Sequence, residues 1–121
     1  DNETISGWFL GLDKENKEHI RNYLRDHDTA QKWMYRKLID LAMMCCADTC
    51  VVPVQDWLGL DNSSRMNTPG TVDINWTWRL LPGQITEELC TEVRNVSKRY
   101  GRANWDALNA LEKREKAESK E

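Results

Sequence analysis

The chain has 121 residues, 40% of them hydrophobic, and a formal net charge of −3, which is the length of one ordinary domain with a modest core. Acidic and basic residues are interleaved, so no electropositive stripe exists for a phosphate backbone, and nucleic acid is excluded as a natural partner. The apolar stretches are broken well short of the ~20 residues that a membrane span requires, so the chain reads as soluble, with no membrane partner.

The opening Asp1-Asn2-Glu3-Thr4 has no initiator Met and no signal-peptide character, so it reads as a start within a longer protein. Asp13 is placed to cap a helix over Lys14 to His27, in which Ile20, Tyr23, Leu24 and His27 recur at helical spacing. Thr29 is placed to cap a second helix, whose apolar stripe of Trp33, Met34, Leu38, Leu41, Ala42 and Cys45 runs to about Ala47 and should be largely buried. Cys50-Val51-Val52-Pro53-Val54 then reads as a short buried strand that delivers Gln55 and Asp56 at its end. Pro53 would place it at an edge or in an irregular ladder.

Gly59 to Gly83 is dense in turn-forming residues yet carries Arg65, Trp76, Trp78 and Arg79. Long ordered loops of this kind are usually functional. Thr86 caps a third helix with Leu89, Val93, Val96 and Tyr100 on one face, and Gly101 stops it. A fourth starts near Asn104 with Trp105, Leu108 and Leu111 apolar, and dissolves into the charged run Glu112–Glu121, expected to be solvated and frayed.

One strand, about four helices and one long loop make a mainly α piece with too little sheet for an independent α/β domain. The pattern fits the C-terminal part of a (β/α)₈ barrel, in which loops after the strands build the active site. Residues 1–111 would be that barrel segment and residues 112–121 the tail. Cys45, Cys46, Cys50 and Cys90 suggest neither a metal site nor a disulfide framework; as buried thiols they fit a reducing, cytoplasmic setting. The six Trp residues serve either as sugar platforms or as large core residues with one hydrogen-bonding N–H.

Three stretches carry a resemblance to a known family. Val54-Gln55-Asp56-Trp57-Leu58-Gly59-Leu60 is followed by Arg65-Met66-Asn67-Thr68-Pro69-Gly70-Thr71 and Asn75-Trp76-Thr77-Trp78-Arg79-Leu80. Asp1-Asn2-Glu3-Thr4 with Gly7-Trp8-Phe9 is a second stretch, and Leu89 to Arg102, ending in Tyr100-Gly101-Arg102, a weaker third. Together they resemble the amylomaltases, or disproportionating enzymes, over roughly residues 1 to 105. The resemblance implies a 4-α-glucanotransferase on a TIM barrel that passes α-1,4-glucan segments between maltooligosaccharides with retention, without metal or organic cofactor. Retention requires a carboxylate nucleophile and an acid/base carboxyl about 5–5.5 Å apart, and both match positions upstream of this chain.

By the same resemblance Asp1 matches the family's third carboxylate, a transition-state stabiliser, and Asn67 a glucan-binding amide. On the residues alone, Asn67 reads equally as an Asx-turn residue before Pro69. Asp56 would orient a sugar or Arg65, Trp78 would contact glucan, and Arg65 and Arg79 read as struts to nearby carbonyls or carboxylates. The partners implied are α-1,4-glucan and either the missing N-terminal part of the enzyme or a second copy of the chain. A non-catalytic helical module that binds carbohydrate or self-associates stands as the alternative.

Overall fold

The computed structural model describes residues 1–72 and 74–119. Lys120 and Glu121, the end of the expected tail, lie outside them. The described residues form α1 (Ile5–Gly11), α2 (Lys14–Leu24), α3 (Met34–Met43), α4 (Val54–Trp57), α5 (Glu87–Arg99) and α6 (Trp105–Glu118), with 3₁₀ turns at Gln31–Trp33 and Asn62–Ser64.

Side-chain caps start most of these helices. Asp13 accepts from the Asn16 amide (2.8 Å), Thr86 from Leu89 (3.1 Å) and Asn104 from Ala107 (3.0 Å), each satisfying an amide without an intrahelical acceptor. Helix α2 stops at Leu24 rather than His27 because Arg25 turns left-handed (φ 53°). None of its residues is buried and Tyr23 is 71% exposed, so the stripe expected there does not enter the core.

Thr29 does not cap the following helix. Its amide and hydroxyl both donate to the Asp26 carboxylate, at 2.9 and 2.6 Å, closing the turn between α2 and α3. The Thr29 hydroxyl first, then its amide, hold Asp26 down at about 2. The 3₁₀ turn Gln31–Trp33 leads into α3, which ends at Met43, before the expected Ala47.

Tyr35, Ile39 and Met43 lie on one face of α3 at four-residue spacing and form the core with Val96 of α5. Ile5, Cys50, Val52, Trp57 and Tyr100 pack around them, and Phe9 and Met34 are fully buried. Of the expected stripe Trp33, Met34, Leu38, Leu41, Ala42 and Cys45, Met34 is buried, Leu38 and Leu41 are half-buried and the rest are exposed. The apolar arc of α3 spans about half the helix, opposite Arg36, Lys37 and Asp40, so periodicity alone does not fix its centre.

The expected strand is corrected. Among the described residues there is no β-strand, so they hold no barrel strand, and the TIM-barrel assignment built on it falls. Residues 50–53 have no regular secondary structure, with Cys50 and Val52 against the core and Val51 82% exposed. A β-branched run becomes a strand only when a neighbour completes its ladder. Pro53 (φ −58°, ψ 150°) instead precedes the first turn of α4, which Val54 enters. Gly59 ends α4 with φ 65°, and a Cβ there would lie 2.6 Å from Tyr35 Cε1, so glycine supplies both the turn and the close approach.

Cys45, Cys46 and Cys90 are exposed, against the expectation of buried thiols. Helix α6 continues to Glu118, past the expected fraying point, although none of its residues is buried. No described helix is long and apolar enough to cross a membrane.

Arg102, just past α5, ties onto the end of α3. Its Nε donates to the Met43 carbonyl (2.7 Å) and its Nη2 to those of Cys45 (3.0 Å) and Ala47 (2.8 Å), which satisfies acceptors left open where α3 stops. Charge-assisted bonds contribute about 1.5–3 kcal/mol each when a partner is lost. Arg102→Ala should therefore lower the unfolding free energy of the chain by at least ~2 kcal/mol in urea titration. Arg114→Ala, on exposed α6, should stay within ~0.5 kcal/mol.

Candidate functional site

The segment before α1 lies against the segment from Pro53 to Asn67, and a cleft of about 740 Å³ opens between them, lined in part by Asp1, Glu3, Trp8, Asp56, Arg65 and Met66. Thr4 starts α1 by accepting from the Gly7 amide through Oγ1 (3.1 Å). The first amides of α1 find acceptors far along the chain. Thr4 N donates to Asn62 Oδ1 at 3.1 Å, and Ile5 N to Asp56 Oδ1 at 2.8 Å. Asn62 Nδ2 in turn donates to Glu3 at 2.7 Å.

These bonds bring Asp1 to Asn67. The Asn67 side-chain amide donates to the Asp1 carboxylate, and the Arg65 guanidinium donates both to the Asp1 carbonyl and, through Nε, to the Asn67 carbonyl (2.9 Å). One planar group therefore touches both strands of the cleft mouth. Beneath it, Gln55 is buried and its Nε2 donates to the Ser64 carbonyl at 3.4 Å.

The turn after Asn67 is shaped by a different residue. Asn75 Oδ1 accepts from Thr68 N (2.8 Å), while its Nδ2 donates to the Thr71 carbonyl (3.1 Å). The Asn67 side chain faces Asp1, and Asn75 rather than Asn67 clasps the turn, from its far side.

Asp56 does not orient Arg65; it accepts from the start of α1 while lining the cleft. Burial pushes its carboxyl above the ordinary range, against the lowering effect of the Ile5 amide. Neither Asn67 nor Trp78 is among the residues that line the cleft; Asn67 adjoins it through Met66 and its bond to Asp1, and Trp78 stands apart. It lies half-buried on the loop beyond Asn75, its carbonyl accepting from Arg79 (2.8 Å). Trp76 adopts a left-handed φ of 61° and is 62% exposed, so the two indoles do not alternate along a regular extended segment.

The capping roles of Asn62, Thr4 and Gly7 were not read from the sequence. Thr4-Ile5-Ser6-Gly7 has the Thr of a capping box but glycine where the Glu or Gln belongs, and that gap was the available signal. Among the described residues no His/Cys/Asp/Glu group is arranged to hold a metal. What the cleft offers is carboxylates and amides, donors and acceptors suited to vicinal hydroxyls.

Comparison with known proteins agrees with that chemistry. The family described as 4-alpha-glucanotransferase matches residues 1–85. The 4-alpha-glucanotransferase of Synechocystis is 35% identical over 102 residues, covering 84% of this chain and 20% of the relative. The chloroplastic/amyloplastic 4-alpha-glucanotransferase of Arabidopsis thaliana is 39% identical over 108 residues, covering 84% and 18%. Amylomaltase from Streptococcus agalactiae, solved in complex with acarbose, superposes with a TM-score of 0.78 at 31% identity, over 86% of this chain and 21% of that one. The chain belongs to the 4-alpha-glucanotransferase family. It spans about one fifth of the length of these relatives.

The raised Asp56 carboxyl sets a sign for pH dependence. A carboxyl that binds its proton more tightly when folded makes stability fall as pH rises from the unfolded value of 3.8 through the folded one. Asp56→Asn keeps the acceptor for Ile5 N and removes the half-buried charge. The variant should match or exceed the parent in urea unfolding at pH 7, with its relative advantage shrinking toward pH 4. A variant less stable than the parent at pH 7 would contradict this assignment.

Proposed function

We propose that this chain is part of a 4-α-glucanotransferase that transfers α-1,4-glucan segments between maltooligosaccharides by a retaining mechanism, and that residues 1–111 belong to its catalytic unit. The observation that supports the reading is the contact between the Asn67 amide and the Asp1 carboxylate at the mouth of the cleft. Two residues far apart in sequence, one suited to developing positive charge and the other to hydroxyls, face each other where a sugar would separate them.

In this reading Asp1 is the transition-state stabiliser. Its ionised carboxylate holds hydroxyls of the reacting ring and strengthens that hold as oxocarbenium character grows, so its contribution falls on the barrier. Asn67 binds glucan in ground and transition states alike through neutral hydrogen bonds. Asp56 adds a carboxylate to the cleft wall, and the half-exposed Trp78 ring offers a platform to a more distant sugar unit. The nucleophile and the acid/base have no counterpart in these residues, so the 121-residue chain is expected to be inactive alone. Incubation with maltotriose should give no glucose or longer maltooligosaccharides above a buffer control.

A second reading has its own observation. Ile85, Leu89, Val93 and Leu108 line an apolar groove of about 450 Å³ between α5 and α6, a surface that favours association when left uncovered. The isolated chain should then sediment above its 14.2 kDa monomer mass. A monodisperse monomer would remove this reading.

For the leading one, Asp1→Asn in the full-length enzyme should lower kcat by orders of magnitude. Asn67→Ala should act mainly on KM, each lost neutral bond contributing about 0.5–1.5 kcal/mol. A near-normal kcat for a folded Asp1→Asn enzyme would sink the assignment of Asp1.

A further inference from the structure

We infer that Asn62 is a positioning residue for the site: it completes the cap of α1 from across the chain and thereby sets where Asp1 stands relative to Asn67. The inference rests on the role proposed for Asp1. A capping box has two halves. In α1 the first is present, the Thr4 hydroxyl accepting from Gly7 N. The second requires a Glu or Gln at Gly7 to accept from Thr4 N, and glycine has no such group.

Asn62 supplies it instead. Its Oδ1 accepts from Thr4 N at 3.1 Å, 58 residues away in sequence, and its Nδ2 donates to Glu3 at 2.7 Å. The amide therefore grips two successive residues of the Asp1–Thr4 segment from both its ends. Gly7 makes room for it: a Cβ at that position would lie 2.5 Å from Asn62 Cγ and 2.8 Å from Nδ2, so any side chain there displaces the Asn62 amide. The backbone of Gly7 is not left-handed, so the glycine is explained by this contact rather than by a turn. Alanine would be the better helix former there, by about 1 kcal/mol.

A cap made within α1 would stabilise the helix equally well but leave the segment free to slide along the loop. A cap made by Asn62 couples the helix start to the 3₁₀ turn Asn62–Ser64, and through Arg65 to Asn67. Asp1 and Asn67 then keep a fixed spacing across the cleft. A misplacement of about 1 Å at a reacting group can cost as much as about 100-fold in rate.

The test separates capping from positioning in the full-length enzyme. Asn62→Ala should lower kcat on maltotriose about 10- to 100-fold and reduce thermal stability. Adding Gly7→Gln to Asn62→Ala rebuilds the box within α1, and should restore Tm while kcat stays low. Gly7→Ala alone, which keeps every hydrogen-bonding group but crowds the Asn62 amide, should also lower kcat. Recovery of kcat together with Tm in the double variant would make Asn62 a structural cap only, and an unchanged kcat in Asn62→Ala would overturn the inference outright. If Asn62→Ala does not fold, Gly7→Ala decides, and a normal kcat there counts against the inference. Failure of the underlying reading looks different, because Asp1→Asn would then retain its kcat whatever Asn62 does.

Discussion

The site depends on how the first amides of α1 are satisfied. A helix start leaves N–H groups without intrahelical acceptors, and here two of them, Thr4 N and Ile5 N, are met by Asn62 and Asp56 from one downstream segment. Local capping would have left the N-terminal segment attached to the fold only through α1. Long-range capping docks it as one wall of a cleft and sets its register, and Arg65 then bridges the carbonyls of Asp1 and Asn67 across the opening. The raised carboxyl of Asp56 shows that this docking has an electrostatic cost, a half-buried acid kept as an acceptor.

The core explains why the downstream segment holds its place. Tyr35 on the buried face of α3 packs against the left-handed turn at Gly59, while Val52 and Trp57 lie against the same cluster. The stretch from Cys50 to Ser64 is thus anchored from beneath by apolar contact, and Arg102 secures the carbonyls at the end of α3 that lead into it. Ile5, which lines the cleft, packs against the same core, so both walls of the cleft share that support.

How much of this was legible in the sequence varied with the physics involved. Helices marked by a local cap were readable, as at Asp13, Thr86 and Asn104, because cap and capped amide lie three residues apart. Short α1 was not, since half of its cap lies at Asn62. The centre of the buried face of α3 was missed, Met34 apart, because the apolar arc of that helix is wider than the face it buries. Cys50–Val54 has the composition of a strand, and composition does not reveal whether a neighbouring strand exists to pair with it. The family resemblance gave Asp1 and Asn67 separate roles, and their contact, between residues far apart in sequence, was not legible there. Thr29, read as a cap, serves the Asp26 turn, since a short hydroxyl side chain suits either task.

The claim that joins these observations is that the amides of Thr4 and Ile5, which the local Thr4 cap does not reach, are held by the downstream segment. Amide hydrogen exchange followed by NMR reads this directly at two sites. The amides of Thr4 and Ile5 precede any intrahelical bond, so in a locally capped or detached segment they would exchange near the unfolded-chain rate. Docked on Asn62 and Asp56, both should instead be protected to the same degree as core amides of α3 such as Ile39. Free exchange at Thr4 and Ile5 alongside a protected α3 would contradict the account.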